Sequence, residues 1–262
     1  MTEKELGLPR PFVLVRRQQI ESTNSVAKEL ALLGCAPFTL VLAEEQTAGR
    51  GRYGRSWVSP PGNLYASVVL RPGPNWPALE TLAFVASVAL GRTLRRWLAP
   101  ERIRYKWPND VLVDGAKIAG VLLEASLARE PERGPWLIVG MGLNLVEAPK
   151  VSVYPTTSLA AVLGRPISVA EAVTALASDF LAALELWRTE GFDPVRAEFC
   201  ASAKGWDEPI HVRLAQRTFS GIMRAIDRTG RLVVEQGGQL EHVSSGEVFF
   251  GSTDEASPPP AT

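Results

Sequence analysis

Gly49-Arg50-Gly51-Arg52-Tyr53-Gly54-Arg55-Ser56-Trp57 alternates three glycines with three arginines and closes on an indole. Glycine lets the backbone approach a ligand and take positive φ without strain. Arginine presents a rigid fork of donors matched to carboxylate and phosphate oxygens. The segment has strand-like neighbours on both sides. Thr39–Ala43 is a short apolar run that leads through Glu44, Glu45 and Gln46 into it, and Leu64–Leu70 resumes an apolar strand after Pro60, Pro61, Gly62 and Asn63. The loop therefore joins two sheet strands and is anchored at both ends. It does not open a helix, as the glycine-rich turn of a dinucleotide fold does. Read alone, it fits a mobile anion-binding lid, a solvated arginine-rich turn or an RGG-like segment that touches RNA.

Working outward, Phe12–Gln18 reads as a strand. Glu21-Ser22-Thr23-Asn24-Ser25 supplies N-caps for a helix over Val26–Leu33 that stops at Gly34. Leu79–Leu98 is a long apolar helix, and Ile103–Trp107 a strand halted by Pro108. Val111–Val113 and Ile118–Ala125 read as a hairpin turning at Asp114-Gly115. Trp136–Leu145 is a further strand and Val169–Trp187 a second long helix. Helices alternating with hairpin strands predict an α+β fold, a mixed β-sheet flanked by helices, over a doubly wound parallel sheet. Beyond Gly205 the texture changes. Ile210–Leu214, Thr218–Ile226, Leu232–Glu235 and Leu240–Val243 are short strands separated by turns at Asp227–Gly230 and Gly237-Gly238, which predicts a small β-barrel. The expected organisation is a catalytic domain over 1–205, a barrel over 206–251 and a Pro/Ser/Ala-rich disordered tail over 252–262.

Composition narrows the function classes. Among the 262 residues, 28 basic side chains cancel 28 acidic ones, which argues against binding nucleic acid through bulk charge. The two cysteines form no CxxC pair, and the two histidines, His211 and His242, lie far from the loop, so neither a Cys/His metal centre nor a Ser-His-Asp triad is expected. There is no apolar run near the roughly 20 residues of a membrane span and no secretory signal in Met1–Arg10. A reducing cytoplasm is the expected compartment.

Two further constellations carry chemistry. Lys106-Trp107-Pro108-Asn109-Asp110 precedes the hairpin, and Gly115-Ala116-Lys117-Ile118-Ala119-Gly120 opens its return strand. Turn chemistry explains Asn109, Asp110 and Asp114, but not the two flanking lysines. Lys117 is expected at a strand mouth near the sheet centre, with Gly120 letting a flat ligand ring lie on the backbone. Val139-Gly140-Met141-Gly142-Leu143-Asn144 marks either a bulge or a close approach to the strand. Seen alone, Trp57 and Trp107 each read more often as core residues than as ligand platforms.

Glu21-Ser22-Thr23-Asn24, Gln46 with Gly49–Arg55 and Trp57, Lys106–Asp110, Lys117–Gly120 and Gly140–Asn144 occur together in an order that resembles the biotin protein ligases. The resemblance runs from about Val13 to Phe250 and includes an SH3-like C-terminal barrel. It implies a ligase that makes biotinyl-5′-AMP from biotin and ATP, with Mg²⁺ carried largely by the ATP phosphates, and transfers biotin to a lysine of a biotin carboxyl carrier protein. It implies that Ser22, Thr23 and Asn24 border the biotin pocket, that Gln46 meets the ureido group, and that Gly49, Arg50, Gly51, Arg52, Lys117 and Gly120 complete the biotin site. Arg50, Arg52, Trp57, Lys117 and Asn144 would hold the adenylate, with Arg52, Lys117 and Asp110 as the catalytic group. A homodimer through the sheet is also implied. Two departures stand out. Tyr53 replaces a basic residue common in relatives, which alters the loop's charge and its ordering on binding. The stretch ahead of the first strand is too short for the winged helix of the repressor members, so the short form without a DNA partner is expected. A lipoate or octanoate ligase shares the broad fold but not the Gly-Arg-Gly-Arg pattern.

Overall fold

The order of elements follows from where the chain can and cannot turn tightly. In the computed structural model, which describes residues 6–126, 134–149 and 154–250, β1 (Val13–Ile20) and β2 (Thr39–Gln46) pair in parallel because helix α1 (Thr23–Leu32) carries the chain back between them. Every later pairing in this sheet is antiparallel, through β3 (Leu64–Leu70), β7 (Trp136–Leu143), β6 (Ala116–Ser126), β5 (Asp110–Val113) and β4 (Ile103–Lys106). The β5–β6 turn has φ of +51° at Asp114 and +82° at Gly115, the doubly left-handed geometry for which an Asp-Gly pair is suited.

One face of the sheet is covered by α2 (Leu82–Leu94), α4 (Val169–Glu190) and α5 (Phe192–Ala201), with the short α3 (Leu159–Leu163) beside them. All of α2 except Arg92 is buried, so it is apolar on every side. A capping box between Ser168 and Glu171 starts α4. The opposite face is covered only in part. There α1 packs Ala27 and Ala31 on Val41, Val69, Trp136 and Ile138, and the remainder of that face is left for a cavity.

Helix α1 starts at Thr23, three residues ahead of the sequence expectation, because Thr23 and Asn24 are fixed by tertiary hydrogen bonds; Gly34 follows its end at φ +82°. Helix α2 ends at Leu94 rather than Leu98, the chain passing into turns before Pro100.

The second sheet is wholly antiparallel, in the order β11 (Gln239–Val243), β10 (Leu232–Gln236), β9 (Thr218–Ile226), β8 (Pro209–Arg213), β12 (Glu247–Phe250). Its two edge strands are consecutive in sequence. Only Ser244, Ser245 and Gly246 join them, a connection that spans at most about 14 Å. The sheet must therefore curl nearly onto itself, although β11 and β12 share no ladder among the described residues. The expected tail, 252–262, lies outside the described residues.

Candidate active site

Strand register builds the site. Across the partly open face, Tyr65 of β3 pairs with Gly142 of β7, Gly142 with Gly120 of β6, Gly120 with Asp110 of β5, and Asp110 with Lys106 of β4. The neighbouring row sets Ser67 opposite Gly140 and Gly140 opposite Leu122. Three glycines thus form a trough at the sheet centre, with polar side chains at its ends. The pairing of β7 with both neighbours is continuous, so Gly140 and Gly142 mark close approach, without a bulge. A Cβ on Gly140 would lie 2.1 Å from Asn24 Oδ1, and one on Gly142 would lie 2.7 Å from the Trp57 ring. The flat ring over Gly120 is Trp57's own indole, 3.1 Å from where a Cβ would stand. A bulge nearby interrupts β5–β6 pairing between Val111 and Leu112, opposite Lys117, where a bulge re-aims side chains.

The trough is the floor of a cavity of about 450 Å³, within the roughly 300–1,000 Å³ usual for small-molecule sites. Ser22, Thr23, Asn24 and Gln46 line one end, and Asp110, Lys117, Gly120 and Asn144 the other. Arg50, Gly51, Arg52 and Trp57 lie above. Gly49 alone among the expected residues does not line it. Its place is local: a Cβ there would stand 2.3 Å from the Trp57 carbonyl oxygen, and its own carbonyl accepts from Trp57 N at 2.8 Å.

A polar chain ties the first end together. Gln46 Oε1 accepts from Thr23 N at 2.8 Å and Thr23 Oγ1 at 3.1 Å, and Gln46 Nε2 donates to Ser59 Oγ at 2.8 Å. Ser67 Oγ lies 2.7 Å from Thr23 Oγ1 and 2.6 Å from Asn24 Oδ1. Asn24 Nδ2 donates to Glu124 Oε2 at 2.7 Å, and Arg50 Nη2 meets the same oxygen at 2.8 Å. Glu124 and Ser67 join the loop to the pocket floor. Sequence reading assigned them no role, and the one signal for Glu124 is a carboxylate ending an apolar strand.

At the other end Lys117 Nζ pairs with Asp110 Oδ1 at 2.7 Å and stands 5.2 Å from the Trp57 ring centre. Asn144 Nδ2 donates to Thr157 O at 3.1 Å, while its buried Oδ1 has no partner among the described residues; the buried Trp57 Nε1 has none among them either. Buried polar atoms are normally satisfied, so an acceptor and a donor are held ready at the cavity wall.

The glycine–arginine segment is itself a tight hairpin. Arg50 and Ser56 form a bridge, and Gly51 N donates to Arg55 O at 2.6 Å. Its tip is fastened to the β11–β12 turn. Arg52 reaches Asn109 Oδ1 at 3.2 Å and Gly246 O at 3.4 Å, Arg55 pairs with Glu247, and Tyr53 OH lies 2.7 Å from Ser245 Oγ. Tyr53 OH also accepts from Arg52 Nη2 at 2.8 Å, and Tyr53 holds φ +56°. Tyr53 thus supplies a clasp. Tyr53→Phe is expected to speed tryptic cleavage after Arg52 and Arg55 in the ligand-free protein several-fold, because local opening sets that rate; an unchanged digestion rate would assign the fastening to the arginines alone.

Comparison with known proteins places the chain in a family. Residues 15–144 match the biotin/lipoate A/B protein ligase family, and residues 207–251 match the biotin protein ligase C-terminal domain. A biotin–[acetyl-CoA-carboxylase] ligase of Paracoccus denitrificans is 38% identical over 88% of this chain and 98% of its own length. The bifunctional ligase/repressor BirA of Bacillus subtilis is 31% identical over 91% of this chain and 74% of its own. The biotin protein ligase of Aquifex aeolicus, solved in complex with biotin and ATP, shares the fold with a TM-score of 0.77 at 24% identity, over 90% of this chain and 97% of that one. By its sequence and its fold, this chain belongs to the biotin protein ligases.

Proposed function

We propose that the chain activates biotin as biotinyl-5′-adenylate and transfers it to one lysine of a biotin carboxyl carrier protein. The observation that carries this reading is the meeting of Ser22–Asn24, Gln46, the glycine–arginine hairpin, Lys117 and Asn144 around one glycine-floored cavity. In the first step a biotin carboxylate oxygen bonds to the α-phosphorus of ATP and pyrophosphate leaves. In the second the carrier amine bonds to the acyl carbon and AMP leaves. Both steps bring anions or a growing negative charge together, and Lys117, Arg50 and Arg52 offset that repulsion. The polar chain from Gln46 to Glu124 orients the biotin head, Trp57 packs near the adenine, and the unsatisfied Asn144 Oδ1 accepts from its amino group. Among the described residues, every carboxylate at the cavity is already committed: Asp110 to Lys117, Glu247 to Arg55 and Arg213, and Glu124 behind it to Arg50. This donor set suits an Mg²⁺ that arrives with ATP and is held by phosphate oxygens. Residues 1–205 act as the catalytic domain and 206–251 as an accessory that fastens the hairpin. The cytoplasm, and pairing of two copies through the sheet, fit the same reading; no described helix is long and apolar enough to cross a membrane.

The direct test is to incubate the purified chain with MgATP and biotin, octanoate or lipoate and to look for the bound acyl-adenylate by mass spectrometry. Biotinyl-adenylate alone is expected; an octanoyl or lipoyl adenylate in its place would reassign the substrate. Arg52→Ala is expected to release or hydrolyse the adenylate about tenfold faster, the loss of one charge-assisted contact. Adenylate retention equal to wild type after gel filtration would count against a clamping role.

A further inference from the structure

Among the described residues that line the cavity, Lys106 is the one lysine that the reaction as described does not use. It is 5% exposed yet lines the cavity. Among the described residues its ammonium has no hydrogen-bond acceptor. It is held by ring faces, with Nζ 3.3 Å from the Tyr154 centroid and 5.8 Å from those of Phe249 and Phe250. Ring faces attract a cation but leave its three donors without oxygen acceptors. Asp110 belongs to Lys117, and Glu247 belongs to Arg55 and Arg213, so neither nearby carboxylate is committed to Lys106. Burial lowers its pKa to about 8, with Lys117 and Arg55 pushing the same way and Asp110 and Glu247 opposing. A desolvated cation facing a cavity is a mark of a functional group.

From these contacts we infer that Lys106 is a further anion-binding residue of the ligase, one that seats the polyphosphate end of ATP and the pyrophosphate it becomes. This rests on the proposed reaction. Position selects the anion. Lys106 stands on β4, and Lys117 with Trp57 lies over Gly120 on β6. Only β5 lies between these strands, so the sites stand two strand spacings apart, about 10 Å. If the acyl phosphate is joined beside Lys117, the anion on the β4 side is the leaving group. Its oxygens supply the acceptors that the Tyr154–Phe249–Phe250 cage lacks.

Wild type, Lys106→Met and Lys106→Arg are compared by biotin affinity, ATP KM and product inhibition by inorganic pyrophosphate. Lys106→Met is expected to raise the ATP KM and the pyrophosphate inhibition constant about tenfold or more, the loss of a charge-assisted contact, with biotin affinity unchanged. Lys106→Arg restores most of the loss. The pH profile supplies a readout that packing alone would not move. Wild-type pyrophosphate binding weakens as pH rises through about 8 and the ammonium loses its proton, whereas Lys106→Arg stays charged. Pyrophosphate gains negative charge over the same range, so the ligand cannot cause that weakening. A Lys106→Met enzyme with wild-type pyrophosphate inhibition, or one that loses biotin and pyrophosphate alike, overturns the assignment. If that variant does not fold, a wild-type pyrophosphate affinity that never falls between about pH 7 and about pH 9.5 overturns it equally. Absence of any biotinyl-adenylate from wild type would instead sink the reaction on which it rests.

Discussion

Lys117→Ala is expected to lower biotin-dependent ATP–pyrophosphate exchange by about a hundredfold to a thousandfold, or ~2.7–4 kcal/mol, the usual loss on removing one preorganised donor from a developing oxyanion. Lys117 belongs to the cavity wall, outside the core. Its side chain and that of Asp110 are 22% and 12% exposed, and their 2.7 Å contact fixes the ammonium beside Trp57. Removing it has two consequences. The carboxylate of biotin and the α-phosphate lose the cation between them, and Asp110 is left as an uncompensated negative charge in the same space. The double variant Lys117→Ala/Asp110→Asn separates these effects. Exchange restored in the double variant would trace the defect to the stranded carboxylate. Exchange still lost would assign it to the missing cation, which is the outcome expected. Single-variant exchange within a few-fold of wild type, in a protein with unchanged circular dichroism, would remove Lys117 from the reaction.

Gly140→Ala is expected to weaken biotin binding about tenfold or more and to destabilise the fold by about 2–4 kcal/mol, through overpacking and loss of buried hydrogen bonds. The added methyl would stand 2.1 Å from Asn24 Oδ1 and 2.9 Å from Asn24 Cγ. Asn24 cannot swing aside cheaply. Its oxygen accepts from Ser67 and its nitrogen donates to Glu124, and the residue is 3% exposed in the first turn of α1. The amide must leave both partners or the strand must sink. Either way the start of α1, which carries Ser22 and Thr23 to the cavity, shifts. A denaturation midpoint and a biotin isotherm measure the two effects together. A Gly140→Ala protein with wild-type values in both would show that the trough tolerates a side chain and is not shaped to fit Asn24.

The features read correctly from sequence were those in which a short segment carries its own instruction. The Asp114-Gly115 pair fixed the β5–β6 hairpin, and Thr218–Ile226 was bounded by turn residues at both ends. The glycines of β7 were legible as a close approach without any means of naming the partner, which proved to be Asn24 and Trp57. Strand β12 escaped notice because four residues, Glu247–Phe250, hold no period of their own. They become a strand by pairing with β8, more than thirty residues earlier in the chain. The start of α1 was missed for a similar reason: Thr23 and Asn24 look like caps, and contacts with Gln46 and Ser67 draw them into the helix.

The sequence by itself determined the α+β class, the hairpin turns, and the residue types gathered for handling anions. Local φ preferences, apolar periodicity and side-chain chemistry act over a few residues and need no partner. Only the tertiary structure decided that Lys106, Asp110, Gly120 and Gly142 share one row. It also decided that Lys117 stands on Asp110, and that Tyr53 and Arg52 grip a turn almost two hundred residues away. Register across strands distant in sequence sets those neighbours, and a register is fixed by the packing of the whole sheet rather than by any one strand in it.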